Sequence, residues 1–347
     1  MLPSSLPEPT NPPLRGGPTL RWGILAPGEI ADAWASTVLA NTDQRIVAVG
    51  SRSADRAAAF AGRHAIARSY GNYEQLVEDP EVDAVYVAPP HTEHVRLALL
   101  AIAAGKHVLV EKPMATSAAS AQLIVDAARQ AGVFAMEAMW SRFLPQTSII
   151  RQLLDDGVLG EVHRAQADFG DVFPYDPASR AFDPSLGGGA LLDIGIYSLW
   201  FTQFALGPAV SVVASGSLAP TGVDEQATVL TRHGTGHAIG IAGASMVARS
   251  GITAMIAGDR ARLEVDAPFC APSGLRVVID EVTGITHQEL RWQDPTPLRW
   301  RDGLCYQATA VAAHVAEGRT EAPEHSLDAT LGLLNVIDEA RRQLGAA

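Results

Sequence analysis

The chain has 347 residues, of which 38 are acidic and 26 basic, so its formal net charge is −12. That length calls for two domains, and a uniformly acidic surface argues against nucleic acid or an anionic membrane as partner. Cys270 and Cys305 are the only cysteines, without metal-ligand spacing. This suggests a reducing, cytoplasmic setting and no metal.

Residues 1–18 carry six prolines and no apolar core, and are expected to form a disordered tail. From residue 19 short apolar runs alternate with amphipathic stretches. The runs "LRWGILA", "RIVAVGS", "DAVYVAP", "HVLVEKP" and "VFAMEAM" read as strands, with a short "AIARSY" between the second and third. Helices are expected over 28–40, 53–64, 73–78, 91–104 and 117–131. Such alternation implies a Rossmann-type, doubly wound parallel sheet over 19–140.

Beyond residue 140 the rhythm changes. A helix over 146–156 and the run "EVHRAQADFG" precede a Gly/Pro-rich loop and a long helix from 189. That apolar helix is interrupted by Asp193 and reads as a buried helix rather than a membrane span. Strands follow at 210–217, 225–232, 236–244, 252–257, and 261–265 with 275–280, and two amphipathic helices close the chain. Residues 141–347 thus read as an α+β domain for substrate binding and oligomerisation. Its open, mainly antiparallel sheet needs covering, which suggests a homo-oligomer, a dimer or tetramer.

Two turns suggest a dinucleotide site. "GILAPGEIA" joins the first strand to the first helix and reads Ala26-x-Gly28-x-x-Ala31 against the dinucleotide fingerprint. Gly28 would let the backbone approach a pyrophosphate, with Glu29 and Ile30 at the helix start. At the end of the second strand, Ser51-Arg52-Ser53 stands where an NAD site carries a carboxylate, and Arg56 follows one turn on. A guanidinium pairs with a 2′-phosphate bidentately, so NADP(H) is expected in preference to NAD(H). Pro89, Pro90 and His91 end the next strand near the expected ribose, and His94 shares the helix face of His91. Both histidines read equally well as helix-capping residues.

"VEKPMA" after the fourth-strand pattern, with "GGGALLDIGIYSLW" downstream, resembles the glucose-fructose oxidoreductase/inositol dehydrogenase (Gfo/Idh/MocA) family. "EAMWSRFLP", Tyr197 and "GLCYQA" resemble its trans-1,2-dihydrodiol dehydrogenase and NADP+-dependent D-xylose 1-dehydrogenase branch. The resemblance implies hydride transfer with Lys112, Tyr197 and Asp193 as catalytic residues, and a cis Lys112–Pro113 bond. Glu111 falls at the cofactor site or shapes the turn.

The residues suit that chemistry. A phenol is too weak an acid to act as base at neutral pH unaided, and a nearby ammonium stabilises its phenolate. Asp193 and Tyr197 lie at i and i+4, hence on one face of an α-helix. A carboxylate in so apolar a helix needs a partner, and Lys112 is the obvious one. Trp140, Arg142, Phe143 and Phe169, with Phe173 and Tyr175 beyond, suggest an aromatic wall with a polar hook for a sugar, polyol or cyclic diol. Two rival readings are a catalytically silent dinucleotide-binding sensor and an NAD-dependent glycoside hydrolase.

Overall fold

A computed structural model describes residues 3–235, 237–280 and 287–347. In chain order the first elements are β1 (Arg21–Leu25), α1 (Glu29–Asn41), β2 (Arg45–Gly50), α2 (Ala54–His64), β3 (Arg68–Tyr70), α3 (Tyr73–Val77) and β4 (Ala84–Val87). They continue with α4 (His94–Ala103), β5 (His107–Glu111), α5 (Ala118–Ala131) and β6 (Ala135–Ala138). These six strands form one parallel sheet in the order β3-β2-β1-β4-β5-β6. Every residue of β4 is buried, as a strand covered on both faces requires. Side-chain oxygens of Ser53 and Ser117 cap α2 and α5.

The second half begins with α6 (Pro145–Asp155), β7 (Val162–Gly170), α7 (Ile196–Leu206), β8 (Ala209–Leu218), β9 (Asp224–His233) and β10 (Ala238–Ser245). It ends with β11 (Ala254–Gly258), β12 (Arg262–Val265), β13 (Gly274–Asp280), β14 (His287–Gln293), α8 (Cys305–Ala316) and α9 (Leu327–Leu344). Eight strands make a mixed sheet in the order β14-β13-β12-β11-β7-β10-β9-β8. All its pairings are antiparallel except β7 with β10. The apolar stretch Pro184–Leu206 is long enough to span a membrane, yet 78% of it is buried, with α7 against β7 and β10.

The chain divides into two compact units, and the boundary differs from the expected 140/141 division. One unit is Asn11–Phe143 with Arg301–Leu331; the other is Leu144–Trp300 with Gly332–Ala347 and the segment up to Thr10. The cause is α8, which packs on α1 beside the bond from the Thr37 hydroxyl to Asp302 O at 2.7 Å. The segment expected to be a disordered tail is tied down instead. Gln152 donates to Glu8 O, Arg15 to Ala40 O, and Gln44 to Pro18 O. Met1, Leu2 and Gly236, the first residue of the expected strand 236–244, lie outside the described residues. The strand expected from 252 begins at Ala254, and β14 was not anticipated.

Candidate active site

Within the parallel-sheet unit, the carboxyl ends of β1, β2, β4 and β5 share one edge. In such sheets ligands bind at that edge, where the strand order reverses, here between β1 and β4. Ala26 leaves β1 with φ 69°, and its N–H donates to Gly50 O at 3.0 Å. Gly28 precedes α1 with no side-chain cap, so the first-turn amides are open to an anion. A Cβ there would meet nothing closer than Ala88 O at 4.0 Å, leaving room for a phosphate. Ile30 is half-buried. The Glu29 carboxylate takes a 2.6 Å bond from Arg301 on the surface.

At the end of β2 the buried Ser51 hydroxyl accepts from Ser53 N at 3.2 Å, which fixes the turn. Arg52 and Arg56 are exposed. Among the described residues neither guanidinium bonds an acceptor. A 2′-phosphate would therefore find both without displacing a carboxylate.

The Lys112–Pro113 peptide bond is cis, as the family resemblance implied. The groups around it turn inward. Glu111 is buried; one carboxylate oxygen accepts from the Tyr86 hydroxyl and the other from Lys112 N at 3.1 Å. Burial pushes its carboxyl pKa up, and the Tyr86 bond opposes that shift. Glu111 thus braces the turn, one of the two roles expected of it. Tyr86 itself stacks on Trp34, ring centroids 4.4 Å apart.

His94 is fully buried, with Nδ1 2.8 Å from Pro113 O and Nε2 3.0 Å from Pro89 O. Burial pushes its pKa down to about 4, so the ring is neutral at pH 7 and its single N–H serves one carbonyl at a time. His91 is buried beside it, centroids 5.7 Å apart. Trp140, Arg142 and Phe143 lie buried in a 3₁₀ turn after β6. The Arg142 Nε donates to Glu324 O at 2.7 Å, so one of its donors is held by backbone.

In the mixed-sheet unit three glycines, 187–189, lead into the helix bearing Asp193 and Tyr197. Gly189 has φ +123°, and a Cβ on it would lie 2.5 Å from Asp224 Oδ1. Asp224 is buried and accepts from Leu191 N at 2.6 Å, capping this helix. Leu191–Gly195 is a π-helical turn that passes into α7, in place of the uniform α-helix expected. Such turns are rare and cluster at functional sites. They alter the i, i+4 spacing from which Asp193 and Tyr197 were placed on one α-helical face.

Within this unit Asp193 pairs with Arg180 at 3.0 Å, a residue that no sequence motif singles out. Both Asp193 and Tyr197 are buried. Phe169 lies 5.9 Å from Tyr197 by centroids and 6.3 Å from Trp300, in an aromatic row. Trp300 is 42% exposed and has φ 47°. A bulky residue held there is strained, which makes it a candidate that sequence reasoning missed. Its adjacency to "GLCYQA" was the available signal. Tyr175 instead packs edge-on against Phe182, and Phe173 is half-buried.

Residues 20–139 match the oxidoreductase family with an NAD-binding Rossmann fold, and residues 148–264 match the GFO/IDH/MocA C-terminal domain. The trans-1,2-dihydrobenzene-1,2-diol dehydrogenase of Danio rerio is 38% identical over 332 residues, covering 94% of this chain and 97% of that protein. A 3-ketoreductase from Actinomadura kijaniata, solved with TDP-benzene and NADP, is 26% identical at a TM-score of 0.76, covering 94% and 98%. An aldose-aldose oxidoreductase from Caulobacter crescentus, solved with glycerol, is 25% identical at 0.80, covering 94% and 97%. The chain belongs to the Gfo/Idh/MocA family of NAD(P)-dependent oxidoreductases.

Proposed function

We propose that this enzyme is an NADP(H)-dependent dehydrogenase acting on a secondary carbinol of a cyclic diol or sugar. The observation that carries the reading is the place of Lys112. It leaves β5 at the sheet edge that also carries the open helix start at Gly28 and the unpaired Arg52 and Arg56. The named activity of the Danio rerio relative and the NADP bound by the ketoreductase support it.

NADP+ would be held by the turn at Ala26, Gly28 and Ile30 through its pyrophosphate, and by Ser51, Arg52 and Arg56 through its 2′-phosphate. When bound, it supplies a hydride acceptor. The chain's own residues do the rest. The Lys112 ammonium donates a hydrogen bond to the reacting oxygen. The Tyr197 phenolate takes the hydroxyl proton at Oη as the carbon gives up hydride. Asp193, held by Arg180, offers its carboxylate to a substrate hydroxyl. Phe169 and Trp300 offer apolar faces to the substrate ring. Two buried cysteines outside any disulfide suit a cytoplasmic setting. Exposed Val213, Leu230 and Ile239 on β8, β9 and β10 suit a homo-oligomer, which light scattering on a sizing column tests; a monomer at all concentrations overturns it.

The deciding experiment is an NADP+ reduction screen over cyclic diols, aldoses and polyols with wild type and Lys112→Ala. Turnover by wild type and silence of the variant are expected. A wild type inert on the whole panel overturns the enzymatic reading in favour of a sensor, and equal activity in both proteins overturns the assignment of Lys112.

A further inference from the structure

The four residues of β6, Ala-Met-Glu-Ala, are all buried, and Glu137 has no exposed surface at all. A carboxylate placed there is costly unless fully bonded. Its bonds are unusually distributed. Oε1 accepts from Met114 N at 2.8 Å, two residues beyond Lys112. Oε2 lies 2.9 Å from His325 Nε2 and accepts from the Thr330 hydroxyl at 3.2 Å. His325 and Thr330 are themselves buried, at the start of α9.

The neighbouring bonds complete a pattern. Lys112 N is held by Glu111, Pro113 O faces His94, and Met114 N is held by Glu137. Polar backbone groups on three consecutive residues thus each meet a buried side chain. Glu111 is braced in turn by Tyr86 of β4, and Glu137 by residues 188 and 193 positions away, at the far end of the chain.

We infer that Glu137, braced by His325 and Thr330, is a positioning residue that sets the direction in which Lys112 leaves the sheet. The inference rests on the proposed role of Lys112. A buried carboxylate with polar partners is weak evidence for net stability, whereas a bond aimed at the backbone beside a reacting group controls geometry. Misplacing such a group by an ångström can cost about a hundredfold in rate. The Glu137 carboxylate does not reach substrate in this scheme; it acts through Met114 N alone.

The test compares Glu137→Met, which has similar length and no acceptor, with Glu137→Gln, whose amide oxygen still accepts from Met114 N. A tautomer change lets His325 accept from the new amide N–H. Measured well below the unfolding midpoint, Glu137→Met is expected to lose about tenfold or more in kcat. Its Kd for NADP+, read by fluorescence, should stay within about threefold, because Arg52 and Gly28 are untouched. Glu137→Gln should recover most of the lost kcat. A Met variant with lower Tm and wild-type kcat would show a merely structural role and overturn the inference. Should that variant fail to fold, Thr330→Val with His325→Leu removes both donors of the brace instead. A lower kcat at unchanged NADP+ Kd then supports positioning, and an unchanged kcat refutes it. A wild type inert on every substrate defeats the proposed function itself, an outcome distinct from an active wild type that is insensitive to Glu137.

Discussion

Arg180 holds Asp193 by a 3.0 Å bond between Nη2 and Oδ2, so one oxygen of the candidate catalytic carboxylate is committed within its own unit. Arg180 comes from the loop after β7, and Asp193 from the π-helical turn before α7. The loop therefore tunes a residue of the helix.

Removing that guanidinium strips one hydrogen bond and a favourable charge from the carboxylate. A hydrogen bond to a charged group is worth about 1.5–3 kcal/mol, reduced here because Arg180 is nearly half exposed. Arg180→Ala should therefore lower kcat/KM by about three- to tenfold. Arg180→Lys should restore part of it, since a lysine supplies charge without the planar fork. Steady-state kinetics of the two variants checks this; wild-type values for both would sever Arg180 from the reaction.

How far the sequence reveals this arrangement depends on the kind of interaction. The parallel sheet is legible because fully buried strands need β-branched runs such as Val108-Leu109-Val110, and crossovers need amphipathic helices between them. The position of Lys112 at a strand end follows directly. β14, with its alternating charged residues, lacks an apolar run, and nothing local marks the parallel pairing of β7 with β10. Glu137 escapes notice although a lone carboxylate inside "VFAMEAM" is itself the signal of a buried partner. The identity of that partner, His325, lies 188 residues away and is set by tertiary structure alone. Arg180 is not legible because a loop arginine reads as solvated until its acceptor is seen.

Cofactor choice rests on Arg52 and Arg56. Arg52→Ala should raise KM for NADP+ by about tenfold or more, the scale of one charge-assisted bidentate pair. KM for NAD+ should barely move. Parallel titrations of the two cofactors measure the ratio, and an unchanged preference would sink the NADP(H) assignment.

Gly195 closes the π-helical turn against β10. A Cβ there would sit 2.9 Å from the Ala244 Cβ, inside normal contact, with backbone behind it. Gly195→Ala should cost about 1–3 kcal/mol by overpacking, visible as a lower Tm. Ala244→Gly should relieve the clash, and Gly195→Ala with Ala244→Gly should melt above the single Gly195→Ala variant. Failure of that rescue would mean that the turn tolerates a methyl group by other movements.

Asp224 beneath the same helix gives stability a pH dependence. Its carboxyl is buried, Oδ1 has no hydrogen-bond partner among the described residues, and desolvation raises its pKa from 3.8 to about 6 against the bond from Leu191 N and the charge of Arg341. Because the folded value exceeds the unfolded one, the folded state binds the proton more tightly. Its stabilising contribution is complete below about pH 4 and is lost as pH rises through about 6. A rise of that size corresponds to about 3 kcal/mol. In Asp224→Asn the amide oxygen still accepts from Leu191 N, and no charge develops. The difference in unfolding free energy, variant minus wild type, should therefore grow in the variant's favour between about pH 4 and about pH 7. Urea denaturation at both values measures it. A difference independent of pH would mean that Asp224 titrates alike in the folded and unfolded chain, with its charge solvated beneath the helix.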